Sequence, residues 1–120
     1  MPALPVLRAL DDWPVPTVAA AVVGPSGVLA SHGDTERQFA LASVTKPLVA
    51  RAVQIAIEEG AVDLDTAAGP PGSTVRHLLA HASGLAMLTG QTLARPGTRR
   101  MYSNYGFAVL AETVQQASGI

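Results

Sequence analysis

The sequence predicts a mixed α/β (α+β) fold, a β-hairpin followed by helices, on three observations. Residues 17–23 (TVAAAVV) and 28–31 (VLAS) are short apolar runs separated by GPSG, a strong turn signal. Later segments carry apolar residues at helical spacing and stop at a glycine: Gly60, Gly84 or Gly119. One hairpin and three helices also leave two sheet edges unpaired, and a two-stranded sheet is marginal in water. The expected architecture is therefore incomplete, the first part of something longer.

Taken in order, residues 6–12 suit a short helix, and HGDTER (residues 32–37) reads as a polar loop after the hairpin. Residues 43–59 form the longest expected helix. Pro47 lacks an N–H and is tolerated only in a first turn, so it pins the helix start near Ser43 and Val44. On this helix Ala50, Val53 and Ile57 line up with Lys46, while Arg51, Gln54 and Glu58 make a polar stripe. Residues 61–73 are rich in turn formers and read as irregular. Residues 74–82 predict a shorter helix with Val75, Leu78, Leu79 and Ala82 on one face. Residues 85–101 read as a long loop containing a Pro96-Gly97 turn. The last helix, residues 104–118, places Phe107, Leu110, Ala111 and Val114 at amphipathic spacing.

Composition bounds the partners. The 120 residues allow one domain at most, with a formal net charge of −1. That charge supplies no basic field for nucleic acid and no polybasic patch for a membrane surface. Charged residues make up 14%, about half the usual share, as though part of the surface is meant to be covered by more polypeptide. With no cysteine, neither a disulfide framework nor a thiolate metal site is available. The N-terminal MPALPVLRALDDW has no sustained apolar core, so no signal peptide is expected. The uncharged run over residues 13–31 has the length of a membrane span, but its prolines and glycines break it into strands and a turn. The expectation is a soluble, cytoplasmic chain.

Chemistry concentrates at two places. Ser43 and Lys46 stand three apart at a helix start, within reach of each other. Free N–H groups and the macrodipole there favour developing negative charge on Ser43. Lys46 falls on the apolar stripe, where an ammonium is costly unless it is paired or loses its proton. A lysine of lowered pKa beside a serine hydroxyl is the arrangement an activated nucleophile needs. A serine cap followed by an ordinary helical lysine gives the same letters. The second place is RRMYSNYGF (residues 99–107), where Tyr102 and Asn104 share a side if the backbone is extended. One offers a phenol that can shuttle a proton, the other an amide that can hold a substrate carbonyl. A half-buried tyrosine and an asparagine N-cap would also account for them.

Taken together, Ser43-Val44-Thr45-Lys46, then HLLAHASGL (residues 77–85), then PGTRRMYSNYGF (residues 96–107) resemble the serine β-lactamase and penicillin-binding protein superfamily. The Tyr-x-Asn motif is similar to that of the class C β-lactamase, D,D-peptidase and family VIII esterase branch. The resemblance runs over residues 17–120. It implies a β-lactamase/transpeptidase-like fold, of which residues 1–120 form a partial domain: the N-terminal hairpin of the sheet and part of the helical domain. It also implies that Ser43 is acylated and that Lys46 and Tyr102 share the transfer of its proton. Asn104 orients the substrate and Lys46, the Ser43 N–H gives half of an oxyanion hole, and His81 helps fix the turn after it. Neither metal nor organic cofactor is implied, and the partner is a small acyl substrate: an ester, a β-lactam or a D-Ala-D-Ala-type peptide. The absence of a leader favours an ester. The family's third motif, Lys or His, then Thr or Ser, then Gly, does not occur in the sequence. A non-catalytic remnant or ligand-binding module therefore stands as the alternative.

Other residues read as structural. His77 and His81 are four apart, off the apolar face, without the glutamate of a zincin motif. Trp13 reads as a packing anchor, and Arg95, Arg99 and Arg100 as solvated loop charge.

Overall fold

The computed structural model describes residues 4–119. Residues 1–3 and 120 lie outside it, and with them the first letters of the segment weighed as a leader and the last of the family resemblance. The chain divides into two compact units, residues 1–40 and 41–120.

The first unit opens with a 3-10 helix over Pro5–Asp12 and continues into the hairpin, β1 (Ala19–Gly24) and β2 (Gly27–Gly33). The strands pair antiparallel, with Gly24 opposite Gly27 around the Pro25-Ser26 turn. Val22 pairs with Ala30 but Val23 with Val28, so Leu29 is the extra residue of a bulge. β2 runs on through His32 and Gly33, which the sequence placed in a loop. His32 Nε2 meets Asp11 Oδ1 at 2.6 Å and ties β2 to the 3-10 helix. Trp13 is 57% exposed, so it is no packing anchor; Pro14 and Pro16 hold its segment in bends that leave the ring at the surface.

Among its described residues the second unit holds three α-helices: α1 (Thr45–Glu58), α2 (Val75–Leu79) and α3 (Asn104–Ser118). Their shared core is Val53 of α1, Ala68, Val75 and Leu78 of α2, Leu85, and Phe107 and Leu110 of α3. The apolar stripe of α1 holds as expected, with Val53 and Ala56 buried and Val49 and Ile57 packed beside them. Its N-terminal end is the half-buried Lys46.

α2 is shorter than the sequence suggested. His81 takes φ 56° and turns the chain before Gly84 can act as the stop. That turn also carries His81 inward, to 8% exposure, so it does not lie off the buried face. His77 instead accepts the Thr74 N–H at 3.2 Å through Nδ1 and closes a capping box on α2. Gly84 has another task. At φ 84° its backbone runs so close to Ala94 that a Cβ would lie 1.9 Å from the Ala94 carbonyl oxygen. The close approach folds residues 85–92 into a small loop, with Leu85 bridged to Thr92 and the Ala86 N–H bonded to the Gln91 oxygen.

α3 has the expected bounds and ends at Gly119 with φ 74°. Its cap is Ser103, not Asn104, which occupies the first helical position. Ala111 is exposed, and Gly106 is buried along with Phe107 and Leu110. Among the described residues, no helix is long and apolar enough to cross a membrane.

Candidate active site

Pro47 stands in the first turn of α1, which leaves Ser43 in the 3-10 turn Ala42–Val44 just ahead of it. Ala42, immediately before Ser43, has φ 46°. A residue with a Cβ enters that left-handed region at a cost of about 1–2 kcal/mol. The turn is held by the Val44 N–H on the Leu41 oxygen at 2.9 Å and by the Thr45 N–H on the Ala42 and Ser43 oxygens. The nucleophile candidate thus sits on a constrained corner at the positive end of a helix.

Ser43 Oγ lies 2.5 Å from Tyr102 Oη and accepts a 3.3 Å hydrogen bond from Lys46 Nζ. Lys46 Nζ also donates to Asn104 Oδ1 at 2.6 Å. The ammonium rests 4.6 Å from the centroid of the Tyr102 ring and 5.8 Å from that of Phe107. Two hydrogen bonds and two aromatic faces offset the cost of its half-buried position on the apolar stripe. All four residues singled out in the sequence meet, although 59 positions separate Ser43 from Tyr102.

The extended backbone expected around Tyr102 is present, with Ser103 at φ −139° and ψ 114°. Tyr102 and Asn104 therefore leave on one side and Ser103 on the other. Ser103 is 1% exposed. Its Oγ donates to the Ala86 oxygen at 2.7 Å and accepts from the Gly106 N–H at 2.8 Å. Behind Tyr102 lies the His81 ring, 4.7 Å from it between centroids and 5.0 Å from the Phe107 ring. His81 Nδ1 accepts the Ser103 N–H at 3.1 Å, and the His81 oxygen accepts the Met101 N–H at 2.6 Å.

These surroundings bias two protonation states. Hydrogen bonding by the Lys46 ammonium, and then by Ser43, pulls the Tyr102 pKa below its ordinary value, against a smaller opposing effect of desolvation. Burial, and then the charges of Arg100 and Lys46, hold His81 below 6.5.

Ser103, Phe107 and the inward turn of His81 were not read from the sequence as parts of this site. Period two places Ser103 opposite the Tyr102–Asn104 pair, and a serine three before Gly106 is a cap pattern, so Ser103 had a signal. His81 had a weaker one, since nothing local to HASGL announces its φ. Arg95, Arg99 and Arg100 are exposed, as expected of loop charge.

The helices, the hairpin and this convergence on one serine oxygen define a serine β-lactamase type of scaffold. Residues 8–120 match the family model Beta-lactamase, and the chain belongs to that family. It is similar to the crystal structure of a beta-lactamase from Mycobacterium bovis, at 77% identity and a TM-score of 0.88. That match covers 95% of this chain and 42% of the other, so the chain spans less than half the length of the protein it matches. No match was found among curated proteins. The mixed fold, in the partial form expected, and the superfamily both stand.

Proposed function

We propose that this chain carries the acyl-accepting centre of a serine hydrolase, working through an acyl-enzyme at Ser43 on an ester, a β-lactam or a D-Ala-D-Ala-type peptide. The observation that supports it most is the double contact at Ser43 Oγ, with Tyr102 Oη at 2.5 Å and Lys46 Nζ at 3.3 Å. An ammonium has three donors and no acceptor. Lys46 therefore donates to Ser43 Oγ and to Asn104 Oδ1, and the Ser43 hydroxyl proton is left to point at Tyr102 Oη. The neighbours that favour the phenolate make Tyr102 the general base.

As Ser43 Oγ bonds to the acyl carbon, its proton passes to Tyr102 Oη and on to the departing alcohol or amine. The Ser43 N–H, at the positive end of α1, takes part of the charge that develops on the acyl oxygen. Water then attacks the acyl-enzyme and gives a proton to Tyr102, which returns it to Ser43 as the acid leaves. Asn104 holds Lys46 through Oδ1 and turns its amide N–H groups to the acyl side of the substrate.

The test is covalent labelling with p-nitrophenyl acetate and with a fluorescent penicillin, read by intact mass and peptide mapping. One acyl increment on Ser43 is expected, absent in Ser43→Ala and reduced about 100-fold or more in rate in Tyr102→Phe. Full-strength labelling of Ser43→Ala overturns the assignment. Binding without any adduct moves the chain to the ligand-binding alternative.

A further inference from the structure

We infer that His81 is a pH-sensitive positioning residue for Tyr102: it holds the backbone on both sides of that tyrosine, and one of its two holds is lost when the ring is protonated. The inference rests on the reading of Tyr102 as the base for Ser43.

His81 has an unusual set of contacts for a histidine. Its carbonyl takes the N–H of the residue before Tyr102, and its Nδ1 takes the N–H of the residue after it. Its ring lies against the Tyr102 ring. Three contacts from one residue thus fix where the phenol oxygen falls. The φ of 56° lets carbonyl and ring serve the same strand, because it reverses the chain at the end of α2. Asparagine, like histidine and aspartate, enters this region more readily than most side-chain-bearing residues.

Acceptance by Nδ1 sets the tautomer, with the proton on Nε2. A second proton would put two N–H groups face to face at 3.1 Å and leave the Ser103 N–H without an acceptor in a site where Ser103 is 1% exposed. Among the described residues, the charged groups that act on His81 oppose that proton, and the rings packed against it are neutral. Lys46 from α1 and Arg100 from the preceding segment are cationic, Tyr102 is the phenol it supports, and α3 contributes Phe107 with no acid in its first turn. The depressed pKa agrees with this geometry. Burial in a tight cluster resists charging until the pH is below the ordinary histidine value, and then the Ser103 attachment is released.

The experiment compares the full chain with His81→Asn and His81→Leu. Asparagine offers an oxygen near the position of Nδ1, tolerates the positive φ and does not titrate in this range. Leucine offers no acceptor. Ser43 acylation by p-nitrophenyl acetate is followed against pH, and Ser103 amide exchange is followed by NMR. The parent should lose rate below the ordinary histidine range, beyond any dependence that Tyr102 imposes, while the protection of the Ser103 amide relative to its intrinsic exchange rate falls over the same interval. His81→Leu should acylate about 10- to 100-fold more slowly at every pH, the scale expected for a displaced catalytic group. His81→Asn should recover most of the rate and lose the additional acid limb. A folded His81→Leu with parental rate and profile overturns the inference, and so does an acid limb that persists in His81→Asn. If His81→Leu does not fold, the limb in His81→Asn decides. If the parent never acylates at Ser43, the proposed function fails instead. The Ser103 protection factor, exchange referenced to the intrinsic rate at each pH, then decides the latch by itself: a factor that falls with acid in the parent and stays level in His81→Asn supports it, and equal behaviour overturns it.

Discussion

Lys46 has no lone pair to give while it is an ammonium, yet its hydrogen bond to the phenol, with its charge adding less, decides what Tyr102 can accept from Ser43. It is the largest cause of the lowered Tyr102 pKa, ahead of the Ser43 hydrogen bond. Phenolate therefore appears at lower pH than in a free tyrosine, and acylation should rise as pH climbs through that depressed value. Replacing Lys46 by methionine keeps the stem against the Tyr102 and Phe107 rings and removes the charge. Tyr102 should then titrate closer to its ordinary range, and acylation at neutral pH should fall with the lost phenolate. The chain has two tyrosines, so the titration is clean in a Tyr105→Phe background, followed by ultraviolet difference spectra. An unchanged Tyr102 midpoint in Lys46→Met would refute the electrostatic role given to the lysine. The same ordering of causes says that Ser43→Ala should move the midpoint in the same direction but by less.

Between single residues and the molecule lie the elements that aim them, and the start of α3 is the most consequential. Ser103 joins three pieces through one hydroxyl and one N–H: the first turn of α3 through Gly106, the loop through the Ala86 oxygen, and the end of α2 through His81. Removing the hydroxyl in Ser103→Ala costs the cap, about 0.5–2 kcal/mol, and leaves the Ala86 oxygen short of a donor. Thermal unfolding should register a loss of about 1–3 kcal/mol, and the acylation rate should fall as well because Tyr102 and Asn104 flank the lost anchor. A variant as stable as the parent would mean that water replaces the hydroxyl at both partners. This region also marks how far the sequence could be read. The bounds of α3 and the polarity of α1 were legible because helical period, Pro47 and Gly119 act locally, whereas the meeting of Ser43 and Lys46 with Tyr102 and Asn104 was implied only by the family resemblance. The hairpin was legible from GPSG. The end of α2 was not, since His81 is turned by contacts with residues 101 and 103 that lie far along the chain. Ala111 lies on the expected side but lines the open groove between α1 and α3, which leaves it exposed. The strained Ala42 carries no sequence mark, for alanine is the last residue that composition would place in the left-handed region.

At the scale of the whole molecule the two units differ in how much they bury. Among the described residues, Ala30 is the buried apolar residue of the hairpin unit, whereas the helical unit closes seven residues into one core. The low charge of the chain has a counterpart in the helical unit. A groove of about 480 Å³ runs between α1 and α3, with Ala52, Ile55, Ala111 and Val114 among its walls. A single unfolding free energy does not describe such a molecule, because local openings should span a wide range. Hydrogen exchange should find little protection over β1 and β2 and the slowest amides around Val53 in α1 and Leu110 in α3. Leu110 is fully buried at the centre of the helical core. Truncating it to alanine removes a side chain whose loss costs about 2–5 kcal/mol, a large part of the roughly 5–15 kcal/mol that holds an ordinary domain together. Leu110→Ala should accordingly speed exchange across residues 41–119 as a block, since α1, α2 and α3 share that core. Exchange that rises only within α3 would mean that the three helices open separately. In that case Ser43 and Lys46 on the α1 side would keep their geometry while Tyr102 and Asn104 lost theirs, and the site would fail at α3 before the rest of the unit unfolds.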